Sequence, residues 1–141
     1  MCTVDEVIIF LKEVTGVKKI DPDSDIFYDI GVVGDDFDEM MHEFAEKFSV
    51  NMDQYLWYFH GDEEGSMWGI GSFFFAPPYK RVNRIPVTPT LLAEAANKGK
   101  WDIQYPDHKL PKWRVDMYID QVIGIAVLGI AVVSLVVKCS S

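Results

Sequence analysis

Apolar positions follow helical spacing in several stretches of this chain and form an unbroken run near its end. Val4, Val7, Ile8, Leu11 and Val14 share one face of a first helix. Thr3 and Glu6 have capping-box spacing at its start and Gly16 stops it. Ile9 lies on the opposite face, where a later segment would cover it. Phe37, Met40, Met41, Phe44 and Phe48 repeat at i, i+3, i+4, i+7 and i+11, which predicts a second helix from Asp36 to Phe48. A brief third helix from Gln54 to Phe59, capped by Asp53, would dock Tyr55, Trp57, Tyr58 and Phe59 on the first two. Thr88 and Pro89 open a further helix with Leu91, Leu92, Ala95 and Ala96 on its apolar face. Gly99 ends it, and Trp101 packs back.

Two stretches depart from this pattern. Residues 17–34 form a loop rich in Asp and Gly, with Ile26, Phe27 and Ile30 tucked onto the core. Met67, Trp68, Ile70, Phe73, Phe74 and Phe75 make an apolar run, broken by Gly69 and Gly71 and closed by Pro77 and Pro78. It predicts a short hairpin or ordered loop with its aromatics buried.

The last segment, Val122 to Val137, has no charge and a single polar residue, Ser134. It rises roughly 24 Å as a helix, and extension back to Met117 brings it to bilayer length. Tyr118 then stands at the interface, with Asp120 and Gln121 near the headgroups. Lys109, Lys112 and Arg114 precede the span, in the positive-inside sense and within reach of anionic lipid. This layout predicts a single-pass, tail-anchored protein of the inner (plasma) membrane with its N-terminal domain cytoplasmic. No G-x-x-x-G occurs within the span, so pairing through it is not indicated. The chain thus divides into a helical domain at 1–101 with an insertion at about 61–87, a basic linker at 102–116, a transmembrane helix at 117–138 and a tail at 139–141.

Charge sharpens the picture. Apolar residues are 49 % and charged residues 25 % of the 141, which suits a folded core. The net charge is -9, with 17 acids against 4 bases in residues 1–65 and 5 against 9 beyond. An acidic N-terminal half repels phosphate backbones, so nucleic acid is excluded as its partner and a basic protein is favoured. Cys2 and Cys139 have no metal-ligand spacing and no expected disulfide. No basic, apolar secretion signal precedes the first helix.

Three constellations carry possible chemistry. Asp21, Asp23 and Asp25 alternate like the start of a calcium loop, but Ile26 and Val32 stand where its glycine and bidentate glutamate belong. A turn before a helix is the better reading, and no metal or other cofactor is expected. Asp35, Asp36, Asp38 and Glu39 crowd the start of the second helix, where carboxylates cap free N–H groups and complement the dipole. Asp36 with His42 or His60 would be the candidates in a carboxylate enzyme, yet no nucleophile–base motif accompanies them, so no catalytic residues are assigned.

The order of elements resembles an acyl carrier protein. The matching residues are Val14-Thr15-Gly16-Val17, Asp29-Ile30-Gly31, Asp35-Asp36-Phe37-Asp38 and Glu46-Lys47-Phe48-Ser49-Val50. The likeness covers about residues 3–60 and 88–98. It implies a mainly α, acyl-carrier-like helical bundle, here with an extra segment. Asp36 stands at the position of the serine that carries phosphopantetheine. The loop Val32-Val33-Gly34 is also longer than usual. Asp29-Ile30-Gly31, Gly34-Asp35-Asp36 and Ala96-Asn97-Lys98-Gly99-Lys100-Trp101 resemble landmarks of a bacterial family of unknown function, DUF1493. Fold alone does not set function. The expectation is a non-catalytic interaction module with Asp35, Asp36, Asp38, Glu39, Glu43 and Glu46 as its partner surface. The alternatives are a carrier modified at Ser24, Ser49, Ser66 or Ser72, a carboxylate enzyme, or a binder of divalent cations.

Overall fold

The computed structural model describes residues 1–63 and 70–140. Five α-helices follow one another: α1 (Val4–Thr15), α2 (Gly34–Phe48), α3 (Ile70–Phe74), α4 (Pro89–Lys98) and α5 (Val115–Ser140). Single 3-10 turns lie at Trp57–Phe59 and Pro78–Arg81. Among the described residues there is no strand, only an isolated parallel bridge between Asn51 and Lys100.

α1 starts on the capping box: the Glu6 N–H donates to Thr3 Oγ1 (3.2 Å), and the Thr3 N–H donates to Glu6 Oε2 (2.7 Å). It ends at Gly16, whose φ of 70° favours a residue without a side chain. α1 packs against α4 and α2 together. Its buried stripe is therefore Val7, Phe10 and Leu11, with Val14 at the edge and Ile9 exposed rather than covered. Phe37, Met40, Met41 and Phe44 of α2 enter the same core, with Leu92, Ala93 and Ala95 of α4 and Trp101 beyond it. Fully burying such side chains contributes about 1.5–3 kcal/mol each.

The long loop before α2 is stitched to the segment before α4. The Ile26 N–H donates to the Val87 carbonyl (2.9 Å), and the Thr90 N–H donates to the Pro22 carbonyl (3.0 Å). The aspartates are occupied locally. Asp25 accepts from the Phe27 N–H (3.1 Å) and from the guanidinium of Arg84. Asp23 accepts from the Thr90 hydroxyl (3.2 Å). Arg84 also lies over the rings of Phe27 and Tyr28, at 4.9 and 4.4 Å.

The third element differs from expectation. A 3-10 turn at Trp57–Phe59 replaces the helix from Gln54, and Asp53 does not cap it. Its N–H instead donates to Asn51 Oδ1 (2.8 Å), in a local turn. What organises this region is His60, which has 0 % exposure. Its Nδ1 lies 2.9 Å from the Ile85 carbonyl, which only accepts, so Nδ1 carries the proton and Nε2 is an acceptor. Tyr105 Oη lies 2.9 Å from Nε2 and also receives the N–H groups of Trp101 Nε1 (2.8 Å) and Leu56 (3.1 Å). With both lone pairs engaged, its own proton goes to His60. Tyr55 stacks on the imidazole at 5.3 Å.

In the insertion the expected hairpin is absent from the described residues. A one-turn helix and a 3-10 turn stand there. Met67, Trp68 and Gly69 lie outside the described residues. The expected burial of the aromatics is also corrected: Phe73 is 85 % and Phe74 70 % exposed, and Phe75 is exposed too. The reason is the contact with α5, which Gly71 makes. A Cβ on Gly71 would sit 2.0 Å from the Asp116 carbonyl, so the backbones touch there and the aromatics turn outward.

α5 is 26 residues long. Its Val115–Cys139 stretch is long and apolar enough to cross a membrane, and none of its most apolar window is buried within the molecule. That exposure distinguishes it from the core helix of a soluble bundle.

Burial holds the pKa of His60 down at about 4, against 6.5 for a free histidine. The unfolded chain therefore takes up this proton before the folded one does. This contribution to stability is complete above about pH 6.5 and is lost as pH falls towards 4, on the order of 3 kcal/mol in all. Urea unfolding of the full chain in mild detergent should show that loss, and His60→Gln should flatten it. Tyr105→Phe should cost at least about 2 kcal/mol at neutral pH, because three buried groups lose one shared partner.

Candidate functional site

α2 begins at Gly34, two residues before the expected start, with Val33 as an N-cap that contributes no side-chain bond. Asp35 and Asp36 therefore lie within the first turn. They complement the dipole there, but they do not cap the helix. The terminus is closed by a distant residue: the Gly34 N–H donates to Asp62 Oδ1 at 3.0 Å. The capping role expected of the local acids thus falls to Asp62.

All six expected partner-surface acids, Asp35, Asp36, Asp38, Glu39, Glu43 and Glu46, are exposed. The helix divides them between two flanks. Asp36, Glu39 and Glu43 line a groove of about 380 Å³ between the end of α1, the loop and α2. Its apolar lining comes from Val14, Val17, Ile30, Val32 and Met40. A second depression continues along the α1–α2 seam, with Phe10, Glu13, Val14, Glu43, Glu46 and Lys47. Asp35 and Asp38 belong to the other flank, beside Asp62 and Glu63. There, partial burial raises the Asp38 pKa first, and the charges of Asp35, Glu63 and Asp62 raise it further.

Little on the groove flank is neutralised. Glu46 has His42 Nε2 at 3.4 Å, and Lys47 is bound to Glu13 of α1 at 3.0 Å. Asp36, Glu39 and Glu43 have no ion-pair partner among the described residues.

The structure does not bring Asp36 together with either candidate histidine. His60 is in the core with both ring nitrogens engaged. His42 is exposed on α2, six residues beyond Asp36 and thus roughly 9 Å along the axis. Among the described residues no three His, Cys, Asp or Glu side chains form a group that would hold a metal ion. Of the serines, Ser24 accepts from the Asp21 N–H (3.2 Å), and Ser49 is the left-handed C-cap of α2 at φ 54°. Ser66 and the side chain of Ser72 lie outside the described residues.

Several working residues carry no sequence signal of their own. Asp62 is an ordinary turn acid until the fold brings it under α2. Arg114 lies in a basic run, yet it binds Glu63 through two nitrogens (2.9 and 2.7 Å) and Asp116 at 2.7 Å. Its charge is thus committed within the protein.

A family model described as "Protein of unknown function (DUF1493)" matches residues 4–104, and the chain belongs to that family. The match runs from α1 through α4, including both acidic flanks, and ends before α5. No curated protein and no solved structure matches the chain.

Removing the cap should cost about 0.5–2 kcal/mol in Asp62→Ala. Asp38→Asn should act the other way and stabilise the fold at neutral pH by under about 1 kcal/mol, since exposure screens the repulsion. The sign follows from the raised pKa: the folded state holds this proton more tightly, so the charge costs stability as pH rises. Paired urea titrations near neutral pH and near pH 4 check both signs, and the benefit of Asp38→Asn should shrink at the lower pH.

Proposed function

We propose that the protein is a membrane-tethered, non-catalytic interaction module whose α1–α2 groove receives a basic, amphipathic segment of a partner protein. The observation that carries this reading is the groove itself. It has an apolar floor beside Asp36, Glu39 and Glu43, which have no ion-pair partner among the described residues. Apolar side chains of the partner would enter the floor while its lysines or arginines meet the rim. Charge steers such a partner and repels nucleic acid.

The acyl-carrier likeness supports the same surface. The order of long helix, long loop, second helix, short helical turn and last helix is what it implies, and carrier proteins are recognised through the corresponding second helix. Asp36, on the rim, stands where a carrier has its serine. A carboxylate offers no hydroxyl for phosphopantetheine transfer, so recognition is retained in this reading without the group transfer. The domain lies on the cytoplasmic side of a bacterial inner membrane, held by α5, with Lys109 and Lys112 before the span.

Three measurements test this. A photocrosslinker at Glu39 in cells should capture a basic protein segment, and Glu43→Lys with Glu46→Lys should reduce capture about tenfold or more. Unchanged capture after charge reversal would overturn the reading. Incubation with a phosphopantetheinyl transferase and coenzyme A should add no mass, and a gain of the arm would make the protein a carrier. The full chain should resist carbonate extraction from membranes, while truncation after Arg114 should release it. A full chain that washes off would refute the anchor.

A further inference from the structure

We infer that the exposed aromatic cluster Phe73, Phe74 and Phe75 is a second membrane contact, seated at the boundary between lipid headgroups and acyl chains. This rests on the reading of α5 as a membrane span. α3 packs on the first turns of α5. Gly71 touches the Asp116 backbone, and its N–H donates to Asp120 Oδ1 at 2.8 Å. α3 is thereby fixed where the apolar run of α5 begins, which is the depth of the interface.

The exposure of the cluster has no explanation in water. Phe73 and Phe74 are 85 % and 70 % exposed, and folded domains seldom leave such a group of large apolar side chains uncovered. The surroundings match a lipid surface. Trp113, just before α5, and Tyr118, at its start, are also exposed, as in an interfacial aromatic belt. Lys80 and Lys112 are exposed at the chain positions flanking the two aromatic groups, available to phosphate. The Arg114 bonds to Glu63 and Asp116 hold this end of α5 to the domain.

The contact adds little to the affinity of a chain that already has a span. What it sets is posture. Two contacts, the span and the phenylalanines, stop the domain from swinging.

The test uses the full chain with Cys2→Ser and Cys139→Ser, reconstituted in vesicles of mixed phosphatidylcholine and phosphatidylglycerol. An environment-sensitive fluorophore is placed through Phe74→Cys, Val132→Cys or Lys18→Cys, and spin-labelled lipids quench it from shallow or deep positions. Phe73→Cys supplies a second site in the cluster should one label disturb the fold. We expect the Phe74 probe to be blue-shifted and quenched about twofold more strongly by the shallow lipid than by the deep one, the depth at which interfacial segments lie. The Val132 probe should show the reverse preference and the Lys18 probe no quenching. Val132 quenched with Phe74 as wet as Lys18 would overturn the inference and leave the span intact. A blue-shifted but unquenched Phe74 probe would also overturn it, since protein rather than lipid would then cover the cluster. An unquenched Val132 probe would refute the span and the inference together.

Discussion

The hydroxyl of Tyr105 joins three separate parts of the chain. It accepts from the Leu56 amide and the Trp101 indole and donates to His60, which in turn holds the Ile85 carbonyl. Each of these groups would be costly to bury alone, and together they are satisfied. The chain after α4 therefore returns to close over the turn after α2, and Ile103 and Tyr105 pack against the core. The network also requires a neutral imidazole, which burial provides. Arg84 does the corresponding work on the neighbouring side, binding Asp25 and donating to the His60 carbonyl at 3.3 Å. The long loop, the segment before α4 and the turn after α2 thus share one anchorage.

α2 is built on that anchorage and carries a tension of its own. Its buried stripe is well packed, while its exposed side concentrates acids that repel one another. Asp62 brings another acid to the same end because the Gly34 amide needs an acceptor. The bond is favourable and the charge beside Asp38 is not, so one residue both secures the helix and raises the Asp38 pKa. This local cost lies on the flank of Asp35 and Asp38, apart from the groove lined by Asp36, Glu39 and Glu43.

At the other end, attachment to α5 is a set of directed bonds. Arg114 binds two carboxylates, one from the domain and one from α5, and the Gly71 amide meets Asp120. A basic run before a span suggests lipid contact for every cation in it, yet Arg114 is turned inward. The domain and the long apolar helix are thus coupled through a few polar contacts in the insertion, the part of the chain whose sequence pattern is hardest to interpret.

Periodicity and cap chemistry determined most of the helices. The capping box at Thr3, the stop at Gly16, the α2 stripe, the Thr88–Pro89 start and the apolar tail all act within a few residues, so they are readable in the chain itself. The landmarks around Asp29, Gly34 and Ala96 pointed correctly to the family. Tertiary structure decided what depends on distant partners. It set the start of α2 at Gly34 through Asp62, divided the acids between two flanks and buried His60 among groups up to 45 residues away. It made a helix of Ile70–Phe74, whose short apolar run has no period of its own, and turned Phe73 and Phe74 outward. Local spacing specifies which side chains share a face. Which face is covered depends on what the rest of the chain brings to it.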